Sequence, residues 1–110
     1  METFSDAGRF GEPDETGAAY VEHLRRSDLS LGTYSLLAGA EDTQDPHTED
    51  EVYVVMSGRA TFTSSGQTIE VAAGSVFFVA AHEEHRFHDI TEDLAVLVFF
   101  GPAEGTRASG

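Results

Sequence analysis

The side chains best suited to chemistry in this sequence fall into two short stretches. One is Asp45-Pro46-His47-Thr48-Glu49-Asp50-Glu51, with Tyr53 two residues beyond. The other, His82-Glu83-Glu84-His85-Arg86-Phe87-His88, carries three of the chain's five histidines. In the first, a proline-punctuated acidic loop runs into the apolar segment Val52-Tyr53-Val54-Val55. Residues at i, i+2 and i+4 of an extended chain project to one face, so Asp45, His47 and Glu51 can converge there. Imidazole and carboxylate together suit first-row divalent metals. The chain has no cysteine, so any metal must be held by nitrogen and oxygen donors. Tyr53 shares Glu51's face and would serve as a hydrogen-bond donor or acid; a packing role competes with that one. In the second stretch, strand parity puts Phe87 with His85 and turns His88 to the opposite face. Glu49 and Asp50 read as solvent-facing.

The elements that must position these groups are strands. Residues 1–19 are rich in Gly, Asp and Glu and read as a loosely ordered acidic arm, with Phe4 and Phe10 able to dock. Tyr20–Arg26 and Leu29–Leu37 read as strands, with Gly32 a candidate bulge. Beyond the loop 38–46, strand and turn signals alternate: Glu51–Met56, a turn at Ser57-Gly58, Arg59–Ser64, a turn at Ser65-Gly66, and Gln67–Val71. Ser75–Ala80, Glu84–Ile90 and, after a break at Thr91–Asp93, Leu94–Phe100 follow. Phe62, Phe77, Phe78, Phe87, Phe99 and Phe100 are expected to line or fill the interior. Short strands without a convincing helix predict an all-β sandwich or barrel, here over residues 20–101, with 102–110 a flexible tail.

The two stretches resemble the paired motifs of the cupins. Their first motif is G-x5-H-x-H-x3,4-E-x6-G and their second G-x5-P-x-G-x2-H-x3-N. Gly39, His47, Glu51 and Gly58 match the first in register, and Gly74 and His85 match the second. Asp45 stands for the first histidine, Ala80 for the proline, His82 for the turn glycine and Asp89 for the asparagine. The resemblance spans Val21 to Gly101 and implies a double-stranded β-helix, a jelly-roll barrel of two antiparallel sheets. It also implies one divalent ion (iron, manganese, zinc or nickel) on His47, Glu51 and His85. Asp45 is a candidate fourth ligand, with the Gln44 amide oxygen as its alternative. Two histidines and one carboxylate with open positions is the arrangement of non-haem iron oxygenases, and zinc accepts the same set. The implied activity is oxygenase-like chemistry on a small chelating molecule. A metal-dependent isomerase or lyase, or a non-catalytic cupin that binds a small ligand as a sensor or store, are the alternatives. No nucleophile–base–orienter pattern and no phosphate-cradling loop are present.

Composition narrows the partners. Twenty acidic residues against six basic ones, all arginine, give a formal net charge of −14. Such a chain repels phosphate backbones and anionic bilayers, so neither nucleic acid nor membrane is an expected partner. No run of eighteen apolar residues and no basic leader occur, which points to a cytoplasmic protein. Leu94–Phe100 is apolar on both faces and predicts a homodimer. Acid scattered through the chain without lysine suggests a high-salt or GC-rich origin. The melting temperature should rise between low and molar chloride as repulsion among carboxylates is screened. A matched neutral osmolyte controls for burial effects, and a flat response would contradict the electrostatic account.

Overall fold

The computed structural model describes residues 1–108. Six strands follow in order: β1 (Ala18–Arg26), β2 (Leu29–Leu36), β3 (Asp50–Ser64), β4 (Gln67–Ala72), β5 (Val76–Val79) and β6 (His85–Gly101). All pairings are antiparallel, the path runs β1-β2-β6-β3-β4, and β5 adds to the free edge of β3. There is no helix among the described residues. This is the all-β architecture expected, with one difference. Ser57-Gly58 and Thr91–Asp93 do not reverse the chain. They lie opposite one another in two long strands, where the β3–β6 register shifts between Val55 and Thr61. Gly58 has φ +93° there, and a Cβ on it would lie 2.2 Å from the Asp93 carbonyl oxygen. Two turn signals that face each other bend a paired ribbon instead of ending it.

The bend sends each long strand through two sheets. The first half of β3 pairs the second half of β6 and β5; its second half pairs the first half of β6 and β4. The inner faces then close on one core of Leu36, Tyr53, Val55, Phe62, Phe87, Val96, Val98 and Phe100. Ser65 (φ +49°) and Gly66 (φ +76°) make the two-residue hairpin turn into β4. The bulge expected at Gly32 falls on the partner strand, between Glu22 and Leu24, where His23 is the extra residue. Gly32 has another role: a Cβ on it would meet the Tyr20 hydroxyl at 2.3 Å, so its bareness lets that ring lie across β2.

Phe78 and Phe99 do not fill the interior. Alternation turns Phe77 and Phe100 inward and leaves Phe78 and Phe99 on the outer face, Phe78 being 62% exposed. Cross-strand neighbours Phe78–Val52–Phe99–Leu31 and Val76–Val54–Leu97–Thr33 make two uncharged rows across that face. The N-terminal segment covers the β1–β2 end of it, where the Gly8 and Gly11 N–H groups donate to Thr33 Oγ1 at 2.8 Å and Ser35 Oγ at 3.0 Å. At the other terminus the Glu104 N–H donates to Ser30 Oγ at 2.9 Å and Ala103 is buried. Ser109 and Gly110, at the end of the expected tail, lie outside the described residues.

Candidate metal centre

Three elements meet at one end of the barrel. Glu51, the second residue of β3, faces inward, His85 is the first residue of β6, and His47 hangs from the loop before β3. Each offers one donor atom, and the three atoms lie within 4.8 Å of one another. Two backbone links hold the loops in place: the His82 N–H donates to the His47 carbonyl at 2.7 Å, and the Ala81 N–H to Asp50 Oδ1 at 2.9 Å. The floor is aromatic. Tyr53, Phe62, Phe77 and Phe87 pack at centroid distances of 4.6–6.2 Å, and the His85 ring lies 6.0 Å from Tyr53 and Phe62. Phe100 meets His47 edge-on at 4.8 Å.

The hydrogen bonds specify which atoms are free. His85 Nδ1 lies 2.8 Å from the Glu83 carbonyl, which only accepts, so Nδ1 carries the proton and Nε2 a lone pair. That Nε2 stands 3.0 Å from Glu51 Oε1, both side chains being 1% exposed. The contact lacks hydrogen-bond geometry, and His85 Nε2 and Glu51 Oε2 are left without a partner among the described residues. Two buried acceptors face to face are costly unless something electropositive joins them. Two ligands on a first-row ion, each about 2.1 Å from it, lie roughly 3.0–3.4 Å apart. The cluster therefore fits a divalent ion.

Electrostatics agree. Burial raises the Glu51 carboxyl to about 8, opposed by the Tyr53 hydroxyl and reinforced by Glu104, Asp42 and Glu49. Burial, then His85, lowers His47, which leaves it neutral and able to ligate. Tyr53 is raised by burial and by Glu51, so its hydroxyl keeps its proton, which it directs at Gln44 Oε1 3.3 Å away.

The remaining candidates sit apart. Asp45 is exposed and outside the cluster; parity counted from Glu51 does not reach it, because residues 41–49 are loop. His82 is exposed in the left-handed region (φ +66°), the conformation of the turn glycine it replaces. His88 is taken up by Thr63 Oγ1 at 2.7 Å and Asp89 Oδ2 at 2.8 Å. Three acidic residues that read as loop or tail carboxylates are parts of the site. Asp42 is buried beneath Gln44. Glu49, 1% exposed, accepts from the Gly105 N–H at 2.7 Å and the Arg107 N–H at 3.0 Å. It thereby pins the C-terminal segment, bringing Glu104 Oε2 to 3.6 Å from His47 Nδ1. A carboxylate that caps backbone N–H groups has no motif, and only burial reveals it. Tyr20, Tyr34, Gln44, His47, Tyr53, Val98 and Glu104 line a half-open cavity of about 220 Å³ beside the cluster.

Because Glu51 ionises near 4.5 when unfolded and near 8 when folded, folding binds a proton between those values. Its contribution to the metal-free protein is complete at low pH and is lost as pH rises through about 8. Stability should fall from about pH 5 to 8 by up to about 1.4 kcal/mol per pH unit relative to Glu51→Gln. Parallel melting curves of the two chelator-treated proteins would contradict this.

The comparisons with known proteins agree with the geometry. The family model described as "Cupin domain" matches residues 32–101. An uncharacterized protein of Streptomyces coelicolor is 52% identical over 86 residues, 78% of this chain and 82% of that one. KdgF from a Halomonas species superimposes with a TM-score of 0.74 at 22% identity, covering 83% of this chain and 84% of its own. Salicylate 1,2-dioxygenase of Pseudoaminobacter salicylatoxidans, solved as a variant in complex with gentisate, gives 0.73 at 16% identity over 82% of this chain and 26% of its own. The last two likenesses are of fold. With both motifs, the bent-strand barrel and the family match in hand, the chain belongs to the cupin family.

Proposed function

We propose that this chain is a small metal-dependent enzyme with oxygenase-like chemistry on a small chelating molecule. Its divalent ion would be held by His47, Glu51 and His85. The observation that carries the reading is the pair of buried donors, His85 Nε2 and Glu51 Oε2, left without protein partners beside a cavity. The cavity of about 220 Å³ holds a small molecule, and a wider open cleft of about 830 Å³ that shares Gln44 with it and is lined by His85 gives room for substituents. The small cavity carries Glu104 and no lysine or arginine, which suits a neutral enol, phenol or hydroxy-carbonyl group, while Arg86 lines the wider cleft. A divalent ion supplies Lewis acidity to the substrate oxygens and, as Fe(II), a site for dioxygen. Around it, the Glu83 carbonyl and the Gln44 side-chain oxygen orient the His85 and His47 imidazoles, Tyr53 holds a proton at its hydroxyl, and the phenylalanine floor excludes water. A second reading, a binding module without turnover, is favoured by the commitment of the Tyr34 and Tyr53 hydroxyls to Asp42 and Gln44.

Alanine in place of His47, Glu51 or His85 should cut metal occupancy about tenfold or more, with His82→Ala and His88→Ala close to wild type. Full occupancy in His85→Ala would sink the site. Fe(II)-loaded protein offered enols, catechols and hydroxy-ketones separates the functions. Oxygen uptake lost in Glu51→Ala marks an oxygenase, product without uptake an isomerase or lyase, and saturable binding without product a binding module.

The exposed part of the outer face is the proposed seat of a second copy of the chain. Its rows through Phe78 and Val76 carry no charge on a molecule of net charge −14, so two copies can approach there with least repulsion. Light scattering at micromolar concentration should give a dimer mass that Phe78→Asp halves. A monomeric wild type would refute this.

A further inference from the structure

We infer that the Tyr20 hydroxyl and the Glu104 carboxylate are the donor and acceptor that recognise the substrate, and that together they select a hydroxy-carbonyl compound. The inference rests on the substrate site proposed above. All three tyrosines of the chain line the small cavity. Two of their hydroxyls are committed: Tyr34 donates to Asp42 Oδ1 at 2.7 Å and Tyr53 to Gln44 Oε1 at 3.3 Å. The Gln44 amide is occupied at both ends, its Nε2 donating to Asp42 Oδ2 at 2.7 Å and its oxygen facing Tyr53 and His47. Tyr20 is left, and no group among the described residues takes up its hydroxyl.

The chain gives up a side chain to place that hydroxyl. Gly32 lies inside β2 with φ outside the left-handed region, so its backbone does not call for glycine. A glycine inside a strand weakens it and marks a close approach. What approaches here is the Tyr20 ring: a Cβ on Gly32 would lie 2.3 Å from the hydroxyl oxygen and 2.4 Å from Cζ. Tyr20 pairs with Tyr34, so its ring leans diagonally to Gly32, whose partner on β6, Val98, lines the same cavity. Burial, then the Glu104 charge, raises Tyr20, so its hydroxyl keeps its proton and can donate. Glu104 is clamped through its backbone. Its N–H donates to Ser30 Oγ at 2.9 Å and its carbonyl accepts from Arg25 Nη1 at 2.8 Å. Its carboxylate stays out of those bonds, with Oε2 3.6 Å from His47 Nδ1, beyond hydrogen-bond reach. One fixed donor and one fixed acceptor then stand unused at a cavity without a lysine or arginine. The complementary molecule is neutral and brings a carbonyl oxygen for Tyr20 and a hydroxyl for Glu104. A site built on such bonds rejects analogues that lack one of the groups, because its own polar atoms are then left unpaired.

The test is calorimetric titration of the Zn(II)-loaded protein with maltol, a small hydroxy-pyranone, and with phenol, which has the hydroxyl but no carbonyl. Tyr20→Phe keeps the ring and should melt with wild type. It should lose affinity for maltol by about three- to tenfold and bind phenol unchanged. Gly32→Ala displaces the ring and should weaken maltol by a similar factor, with no further loss when Tyr20→Phe is added. Glu104→Ala, compared at equal zinc content, should weaken both compounds. Wild-type affinity for maltol in Tyr20→Phe, or equal losses for maltol and phenol, would overturn the inference. Failure of the underlying site looks different: wild type binds neither compound, or His85→Ala binds zinc and maltol undiminished, and the inference falls with it.

Discussion

A carboxylate and an imidazole lone pair, 3.0 Å apart and 1% exposed, constrain everything around them in this protein. Neither can turn to water, and among the described residues His85 Nε2 and Glu51 Oε2 find no hydrogen-bond partner. Desolvating an ionised carboxylate without a partner costs several kcal/mol, a large share of the roughly 5–15 kcal/mol by which a domain is stable. Two solutions are open to the chain: hold Glu51 as the neutral acid, or place a cation between the donors. The raised Glu51 carboxyl, near 8, expresses the first and prepares the second.

The fold is arranged to hold that pair in place. Two bent strands carry their residues from one sheet into the other, and Glu51 and His85 lie at the starts of those strands, where rigid pairing sets their positions. Loops supply the rest and are tied down by buried acids. Asp42 fastens the 42–44 loop to β2 and β6, while Glu49 fastens the C-terminal segment over β3. Carboxylates that accept three or four hydrogen bonds act here as rivets for irregular backbone, which would otherwise fray and take His47 with it.

The strands were legible because alternation and glycine punctuation are local signals. The family resemblance followed because His47, Glu51 and His85 keep a fixed spacing along such strands. What was not legible was non-local. The same Ser-Gly signal closes a hairpin at residues 65–66 and only bends a ribbon at 57–58, and what separates the two is the strand lying opposite. Phe77 and Phe78 are equally apolar, and one face of β5 is interior while the other is not. Asp42, Glu49 and Glu104 look like three of twenty acids until burial singles them out.

Proton release on metal uptake tests the central claim most directly. Calorimetric titration of the metal-free protein with Zn(II) at pH 7, in two buffers of different ionisation enthalpy, counts the protons displaced. The account predicts one saturable site and close to one proton released, with that proton absent in Glu51→Gln, whose binding is weaker. Uptake without proton release, or no saturable uptake at all, would contradict it.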